Sequence, residues 1–210
     1  MKTIRIKNEQ NIQQIEHTVL VLGYFDGFHK GHQALFAEAR KIAAAKDLKI
    51  AVLTFPESPK LAFVRYQPSL MLHLTSPEER LQQLENLGVD YLYLVDFTSQ
   101  FARNTAEQFF TKYISRLKAK TVIAGFDYHF GSDRRNAEDL EKLFEGQVII
   151  VPSVNFNGVK ISSTRIRETV LAGNVAESNQ LLGYSLSTSG IVVHGNARGR
   201  TIGYPTANLA

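Results

Sequence analysis

Two histidines three residues apart, His29 and His32, lie in the segment LGYFDGFHKGHQAL, directly after an apolar run. Gly23, Gly27 and Gly31 surround them, which predicts a tight turn from a strand into a helix. Unpaired N–H groups and the positive dipole end on a first helical turn favour phosphate, and imidazoles there can stabilise an oxyanion. The segment therefore predicts phosphate chemistry. A metal pair and two solvent-facing capping histidines are the alternatives.

A second helix start carries a similar set of polar groups. The segment ISSTRIRE places Ser163 and Thr164 where a helix begins, and Arg167 follows Thr164 by three residues on the same face. Hydroxyls at such a position can bind phosphate oxygens, and the guanidinium can neutralise a departing polyphosphate. Because serine and threonine are preferred N-caps in any helix, an ordinary capped helix with solvated arginines explains the segment equally well.

Short β-branched runs alternate with segments of helical period along the chain. This order predicts an α/β fold with a Rossmann-like, doubly wound parallel sheet. Predicted strands cover residues 18–23, 49–55, 91–95, 121–125 and 147–152, and predicted helices with their caps cover residues 32–46, 76–88, 105–117, 137–144, 162–173 and 174–182. Capping boxes are predicted at Ser76 with Glu79 and at Thr105 with Gln108, and Asn157-Gly158 predicts a hairpin turn.

The pattern changes near Tyr184, where residues rich in Gly, Ser and Thr replace the helical period. We predict one α/β domain over residues 1–184 and an incomplete, β-type segment over residues 185–210. About 26 residues cannot bury enough apolar surface to fold alone, so the chain is expected to be truncated within a second module. The strand in GIVV is expected to be unpaired and mobile.

Composition narrows the class of protein. The 210 residues include no cysteine, which excludes disulfides and thiolate metal sites. The first residues lack the apolar core of a signal peptide, and no apolar run approaches the roughly 18 residues of a membrane span, so we predict a cytoplasmic protein without a membrane partner. The net charge of +4 is spread without a basic block, which argues against a nucleic-acid partner.

Five segments in order resemble a known family. GYFDGFHKGHQAL, LTSPEERLQQL, VIAGFDYHFG, ISSTRIRE and GRTIGYPTANL together are similar to the prokaryotic bifunctional riboflavin kinase/FAD synthetases, whose adenylyltransferase module belongs to the HxGH nucleotidyltransferase superfamily. The resemblance covers essentially the whole chain. It implies transfer of AMP from ATP to FMN, giving FAD and pyrophosphate, and a β-barrel kinase module toward the C-terminus.

The resemblance also implies the site residues. The catalytic residues would be His29, His32 and Arg167. ATP would be bound by Gly23, Phe25, Asp26, Gly27, Gly31, Asp127, Gly131, Ser163, Thr164 and Arg165, and FMN by Phe55, Pro59, Tyr128 and Phe130. From the residues alone, Asp127 and Phe130 suit a loop carboxylate and a core aromatic better. The implied cofactor is Mg²⁺, which would act with ATP; no metal-ligand set is predicted within the complete domain.

Three regions limit what the resemblance implies. The family usually has TFxPxP after the second strand, but residues 56–59, PESP, match only its last proline, Pro59, so the flavin contact there is weakened. FGSDRRNA has Asn136-Ala137 where the family usually has a glycine, which predicts a different loop closure. Thr206 and Asn208 match Mg²⁺ and ATP ligands of the kinase module, but its catalytic carboxylate is absent, so no riboflavin kinase activity is predicted.

Two other functions are compatible with the sequence. One is a nucleotidyltransferase that uses another phosphorylated acceptor, although the kinase-like segment favours a flavin. The other is a flavin- or nucleotide-binding regulator without turnover. A regulator would not need the two imidazoles and Arg167 positioned for a developing charge, so the enzyme is the favoured interpretation.

Overall fold

The fold is organised around a parallel sheet, described here from a computed structural model that covers residues 1–12, 16–59 and 72–209. Six strands form this sheet in the order β1, β4, β3, β2, β5, β8. They are β1 (Lys2–Ile6), β2 (Thr18–Leu22), β3 (Lys49–Thr54), β4 (Tyr91–Val95), β5 (Ala119–Gly125) and β8 (Gln147–Val151). All five strand pairs are parallel, so the predicted α/β class with a doubly wound sheet is confirmed.

Helices cover both faces of the sheet, because alternate residues of its strands enter different cores. In β2, Val19 and Val21 pack with α1 on one face, whereas Leu20 and Leu22 belong to the core on the other face. The helices are α1 (Lys30–Lys46), α2 (Pro77–Asn86), α3 (Ser99–Ala102), α4 (Ala106–Phe109), α5 (Asp139–Leu143), α6 (Ser163–Leu171) and α7 (Val175–Leu182).

Several local predictions are confirmed. Ser76 and Glu79 form the predicted capping box of α2, and Thr105 and Gln108 form that of α4. The predicted Asn157-Gly158 turn joins two short antiparallel strands, β9 (Asn155–Phe156) and β10 (Val159–Lys160). Both turn residues have positive φ, 54° and 76°, which is the backbone that this dipeptide supplies readily.

Other predictions of secondary structure were wrong or incomplete. The edge strand β1, the short helix α3 and the hairpin β6 (His129–Phe130) with β7 (Arg135–Asn136) were not predicted. The single helix predicted over residues 105–117 is interrupted, since α4 gives way to a π-helical turn (Phe110–Ile114) and then a 3₁₀ turn (Ser115–Leu117).

The C-terminal segment is also more ordered than predicted. β11 (Val192–Val193) pairs with β12 (Asn208–Leu209) in an antiparallel ladder, with a short helix α8 (Arg198–Thr201) between them, so the expectation of an unpaired strand was wrong. The residues of this ladder are exposed. Thr206 and Asn208 are exposed as well.

Candidate active site

A cleft of about 690 Å³ opens at the carboxyl ends of β2 and β5. The strand order reverses between these two neighbours, and ligands of open α/β sheets bind at such a switch point. Of the predicted site residues, His29, His32, Arg167, Gly23, Phe25, Asp26, Gly31, Asp127, Gly131, Ser163, Thr164, Phe55, Pro59, Tyr128 and Phe130 line this cleft. Gly27 and Arg165 do not.

The two histidines begin α1. His29 is the N-cap, and its Nδ1 accepts a hydrogen bond from the backbone N–H of His32 at 3.3 Å. The helix therefore begins at Lys30, two residues earlier than predicted. The two rings stack with their centroids 3.7 Å apart and an interplanar angle of 19°. Because Nδ1 of His29 is an acceptor, its proton lies on Nε2, which makes Nε2–H a hydrogen-bond donor.

Burial keeps the imidazoles neutral. Desolvation lowers the pKa of His29 to about 4, against the raising effects of Asp127 and Asp26. Desolvation also lowers the pKa of His32 well below its ordinary value, and the neighbouring His29 lowers it further. The Nδ1 atom of His32 is buried and has no hydrogen-bond partner within the described ranges. At neutral pH the pair therefore supplies uncharged N–H donors and adds no positive charge of its own.

The depressed pKa of His29 gives a pH prediction for stability. Between about pH 6.5 and pH 4 the unfolded chain binds a proton at this residue that the folded chain excludes, so the free energy of unfolding falls as the pH decreases through this window. We expect a loss of roughly 2 kcal/mol from this residue between about pH 7.5 and about pH 5. Urea unfolding across that range measures it.

Two variants serve as controls for the pH prediction. His29→Asn should reduce the loss, whereas His17→Ala, which removes an exposed histidine outside the cleft, should leave it unchanged. An equal pH dependence in His29→Asn and the unsubstituted chain would contradict the prediction.

Asp26 fixes the position of Arg167 and of a neighbouring loop. This carboxylate is almost completely buried and accepts a hydrogen bond from Nη2 of Arg167 at 3.0 Å. Its other oxygen accepts from the backbone N–H groups of Leu74 at 2.8 Å and Thr75 at 3.3 Å. Ser163 adds a further link, because its hydroxyl donates to the backbone carbonyl of Asp26 at 2.9 Å. The start of α6 is thus tied to the loop that precedes the histidines.

Arg165, which the sequence analysis predicts to bind ATP, does not line the cleft and makes structural contacts instead. Its guanidinium forms a salt bridge with Glu177 at 2.8 Å and donates to the carbonyls of Val159 at 2.9 Å and Phe156 at 3.2 Å. These contacts join α6 to α7 and to the β9–β10 hairpin. Residues two apart on a helix lie about 200° apart around its axis, which is why Arg167 faces the cleft and Arg165 does not.

Gly27, also predicted to contact ATP, does not line the cleft and packs closely against Leu74. Its φ is 79°, and a Cβ atom here would lie 2.7 Å from Cδ1 of Leu74. Its N–H donates to Oγ1 of Thr75 at 3.3 Å, and its carbonyl accepts from the Tyr184 hydroxyl at 2.7 Å. Gly27 therefore allows the turn and the close packing beneath it.

An ion pair that the sequence did not predict lies at the cleft mouth. Asp127, just after β5, forms a salt bridge with Lys160 of β10. The Lys160 ammonium also lies 4.7 Å from the ring centroid of Phe126, in cation–π geometry. Asp127 and Lys160 are both exposed. Lys160 directly precedes ISSTRIRE, so its position near the second helix start could be predicted from the sequence, but its pairing with Asp127 could not.

The remaining wall of the cleft is aromatic. Phe55 contacts Phe97 and Phe101 edge to face, with centroids 5.1 and 5.5 Å apart. Tyr128 stacks on Phe130 at 5.9 Å, and burial raises the Tyr128 pKa well above its usual range. Phe97 and Phe101 were missed by sequence analysis because they follow β4, far along the chain. Of the predicted flavin segment TFPESPKLAF, residues 60–63 lie outside the described residues.

Gly131 and the Asn136-Ala137 pair, both singled out in the sequence, lie in or next to the β6–β7 hairpin. Gly131 has a φ of 76°, and a Cβ atom there would lie 2.3 Å from the backbone N of Ala106. Asn136 lies in β7, which pairs with β6, and Ala137 is completely buried. Across the described ranges, no group of three or more His, Cys, Asp or Glu side chains converges on one point.

Comparisons with known proteins agree with the geometry. The family model for FAD synthetase matches residues 11–165, and the model for riboflavin kinase matches residues 182–210. A bifunctional riboflavin kinase/FMN adenylyltransferase from Listeria monocytogenes is 42% identical over 194 residues, covering 91% of this chain and 62% of that protein. The protein of the same name from Bacillus subtilis is 37% identical over 214 residues, covering 100% of this chain and 67% of that protein.

One solved structure is similar over nearly the whole chain. It is described as a macrolide-efflux protein from Streptococcus pneumoniae, and it superposes with a TM-score of 0.93 at 57% identity, covering 99% of this chain and 68% of that chain. In the part of the chain that the structure describes, no helix has both the length and the apolar character needed to cross a bilayer.

Proposed function

Because the chain belongs to the FAD synthetase family, we propose that it is an FMN adenylyltransferase, which transfers AMP from ATP to FMN and releases pyrophosphate. One observation carries this proposal: the start of α1, with its stacked neutral imidazoles, and the start of α6, with Ser163, Thr164 and Arg167, line the same cleft. Two helix starts with these donors supply what a polyphosphate needs, namely oriented N–H and O–H groups and a cation.

The proposed reaction needs alignment and charge stabilisation rather than a covalent enzyme intermediate. An oxygen of the FMN phosphate attacks the α-phosphorus of ATP in line. As the new P–O bond forms, the bond to the α–β bridging oxygen breaks, and pyrophosphate leaves with that electron pair. His29 and His32 would donate hydrogen bonds to the α-phosphate oxygens, and Arg167 would stabilise the leaving pyrophosphate.

We assign the remaining residues of the cleft to the nucleotide or to the flavin according to where they lie in it. Gly23, Phe25 and Gly31 would let the nucleotide approach the loop after β2, and Ser163 and Thr164 would donate to its phosphates. Asp127 and Gly131 would lie beside the nucleotide. The aromatic wall with Phe55, Pro59, Tyr128 and Phe130 would accept the flavin ring, because its stacked and edge-to-face rings match a flat apolar ligand. Asp26 would act indirectly, by holding Arg167.

Mg²⁺ would enter this site together with ATP. In the described part of the cleft, Asp26 is paired with Arg167 and Asp127 with Lys160, and no three-residue metal cluster is present there. These residues fit an ion that takes most of its ligands from phosphates and water, as Mg²⁺ does in nucleotide sites. When bound, the ion would neutralise phosphate charge.

The proposal concerns the first domain, residues 1–184. Residues 185–210 would form the start of the kinase module, and the chain spans 62% of the length of the Listeria monocytogenes relative. We propose the adenylyl transfer for this chain because the residues that line its cleft all belong to the first domain. The macrolide-efflux name of the Streptococcus pneumoniae structure does not enter the proposal, because the groups that line the cleft suit phosphate and an aromatic ring.

The test mixes the purified chain with ATP, Mg²⁺ and either FMN or riboflavin, separates the flavins by chromatography and measures pyrophosphate. We expect FAD and equimolar pyrophosphate from FMN, and the reaction with riboflavin shows separately whether any FMN is made. Pyrophosphate release with a different phosphorylated compound, but not with FMN, would show that this compound is the acceptor and that FMN is not. Binding of ATP and FMN without any product would support a regulator instead.

A further inference from the structure

The residue before the catalytic pair has an unusual backbone. Phe28 has a φ of 36°, in the left-handed region that residues other than glycine rarely adopt. Its ring is buried and packs against Phe25 and Phe36, with centroids 6.0 and 6.1 Å apart. Such a conformation persists only where the surroundings hold it. The orientation of His29 therefore depends on what holds residues 27 and 28.

Two side chains, one from α1 and one from beyond α7, hold this turn. The Gln33 amide donates to the carbonyl of Phe28 and to the carbonyl of Leu182, both at 2.8 Å. The Tyr184 hydroxyl donates to the carbonyl of Gly27 at 2.7 Å. The turn before His29 is thus fastened to the end of α7, through contacts that span 149 and 157 residues of sequence.

The backbone after α7 is shaped for these contacts. Gly183 has a φ of 83°, which lets the chain reverse so that Tyr184 reaches back. A Cβ atom at Gly183 would lie 3.3 Å from Oε1 of Gln33, so the two segments pack closely. Burial, with Asp26 and Glu79 nearby, raises the pKa of Tyr184 to about 12, which keeps its hydroxyl a donor at neutral pH.

We propose that Tyr184 and Gln33 are positioning residues, which hold the turn before His29 so that the stacked imidazoles are aligned with the α-phosphate. The proposal rests on the adenylyl transfer proposed above. Neither residue lines the cleft, so each acts through the histidines. Catalysis depends on alignment at the level of an ångström or less, and two carbonyl hydrogen bonds on a strained turn control that alignment.

The first test is Tyr184→Phe, which keeps the ring and removes only the hydroxyl. We expect kcat for FAD formation to fall about 10-fold while KM for ATP and for FMN changes less than about 2-fold, because the substrate contacts remain. Tyr91→Phe is the matched control. It also removes a tyrosine hydroxyl bond, here 2.7 Å to Glu16, but outside the cleft, so kcat should not change.

A double-variant cycle separates positioning from a general loss of stability. In a His29→Asn background, Tyr184→Phe should have little further effect on kcat, because the group that it aligns is gone. Gln33→Met, which removes both amide hydrogen bonds at nearly constant volume, should behave in the same way. An unchanged kcat in both variants, or the same 10-fold loss with and without His29, would overturn the proposal.

A readout that does not need turnover keeps this test apart from that of the function. The imidazole ¹⁵N resonances of His29 and His32 should shift in Tyr184→Phe and stay in place in Tyr91→Phe. If the unsubstituted chain forms no FAD, the proposed function fails, and these resonances still decide whether Tyr184 orients the pair. Resonances that are identical in Tyr184→Phe and the unsubstituted chain would refute the positioning role.

Discussion

Replacing His29 with alanine is expected to lower kcat for FAD formation by about 10²- to 10³-fold, the range found when one preorganised oxyanion donor is removed. The imidazole is neutral, buried and stacked on His32, so it offers a fixed donor that water does not replace with the same geometry. The KM values should change less, because the donor acts on charge that develops in the transition state. Steady-state kinetics with ATP and FMN measure both constants.

The His29 substitution also removes an N-cap, which by itself costs about 1 kcal/mol of stability. His29→Asn separates the two effects, since asparagine is a good N-cap but lacks the imidazole. We expect His29→Asn to unfold at nearly the same urea concentration as the unsubstituted chain and to be as inactive as His29→Ala. If His29→Asn kept more than about a tenth of the activity, the catalytic role would be wrong.

Replacing Arg167 with alanine should lower kcat by about 10²-fold, because a charged donor to the leaving pyrophosphate is lost. Asp26 keeps its backbone donors from Leu74 and Thr75, so we expect the variant to stay folded. The reverse reaction gives a specific readout. With FAD and pyrophosphate as substrates, KM for pyrophosphate should rise, whereas KM for FAD should change little.

Arg165 provides a matched control on the same helix. Arg165→Ala removes a partly buried salt bridge and two carbonyl hydrogen bonds, so the free energy of unfolding should fall by about 2 kcal/mol. Its kcat should stay within about 3-fold of the unsubstituted value, since the side chain does not line the cleft. Equal losses of activity in the two arginine variants would contradict the assignment of Arg167.

The elements that the sequence predicted correctly have local signals. The capping boxes of α2 and α4 and the Asn157-Gly158 turn each depend on residues within four positions of one another. The edge strand β1 was missed because its sequence, KTIRI, is mostly exposed and lacks an apolar run, and its partner, β4, lies about 90 residues away in the sequence. Pairing at that distance leaves little trace in the local pattern.

In the candidate site too, residues with local sequence signals could be predicted, whereas contacts between distant segments could not. The histidines, the hydroxyls and Arg167 could be predicted because they cluster in two short segments. Helix geometry could also have shown that Arg165 and Arg167 face different ways. The salt bridge of Asp127 with Lys160, and the contact of Tyr184 with Gly27, could not be predicted from spacing, since each joins elements that meet only when the sheet has formed.

The position of β2 in the middle of the sheet affects how the chain is synthesised. Its partner β5 begins at Ala119, nearly a hundred residues after β2 ends. At about 5–20 residues per second, a ribosome needs roughly 5–20 s to make that stretch. During this time one edge of an apolar strand, TVLVL, is unpaired, and such edges promote association between chains. Any contact that covers this edge before β5 is made would therefore favour folding over association between chains.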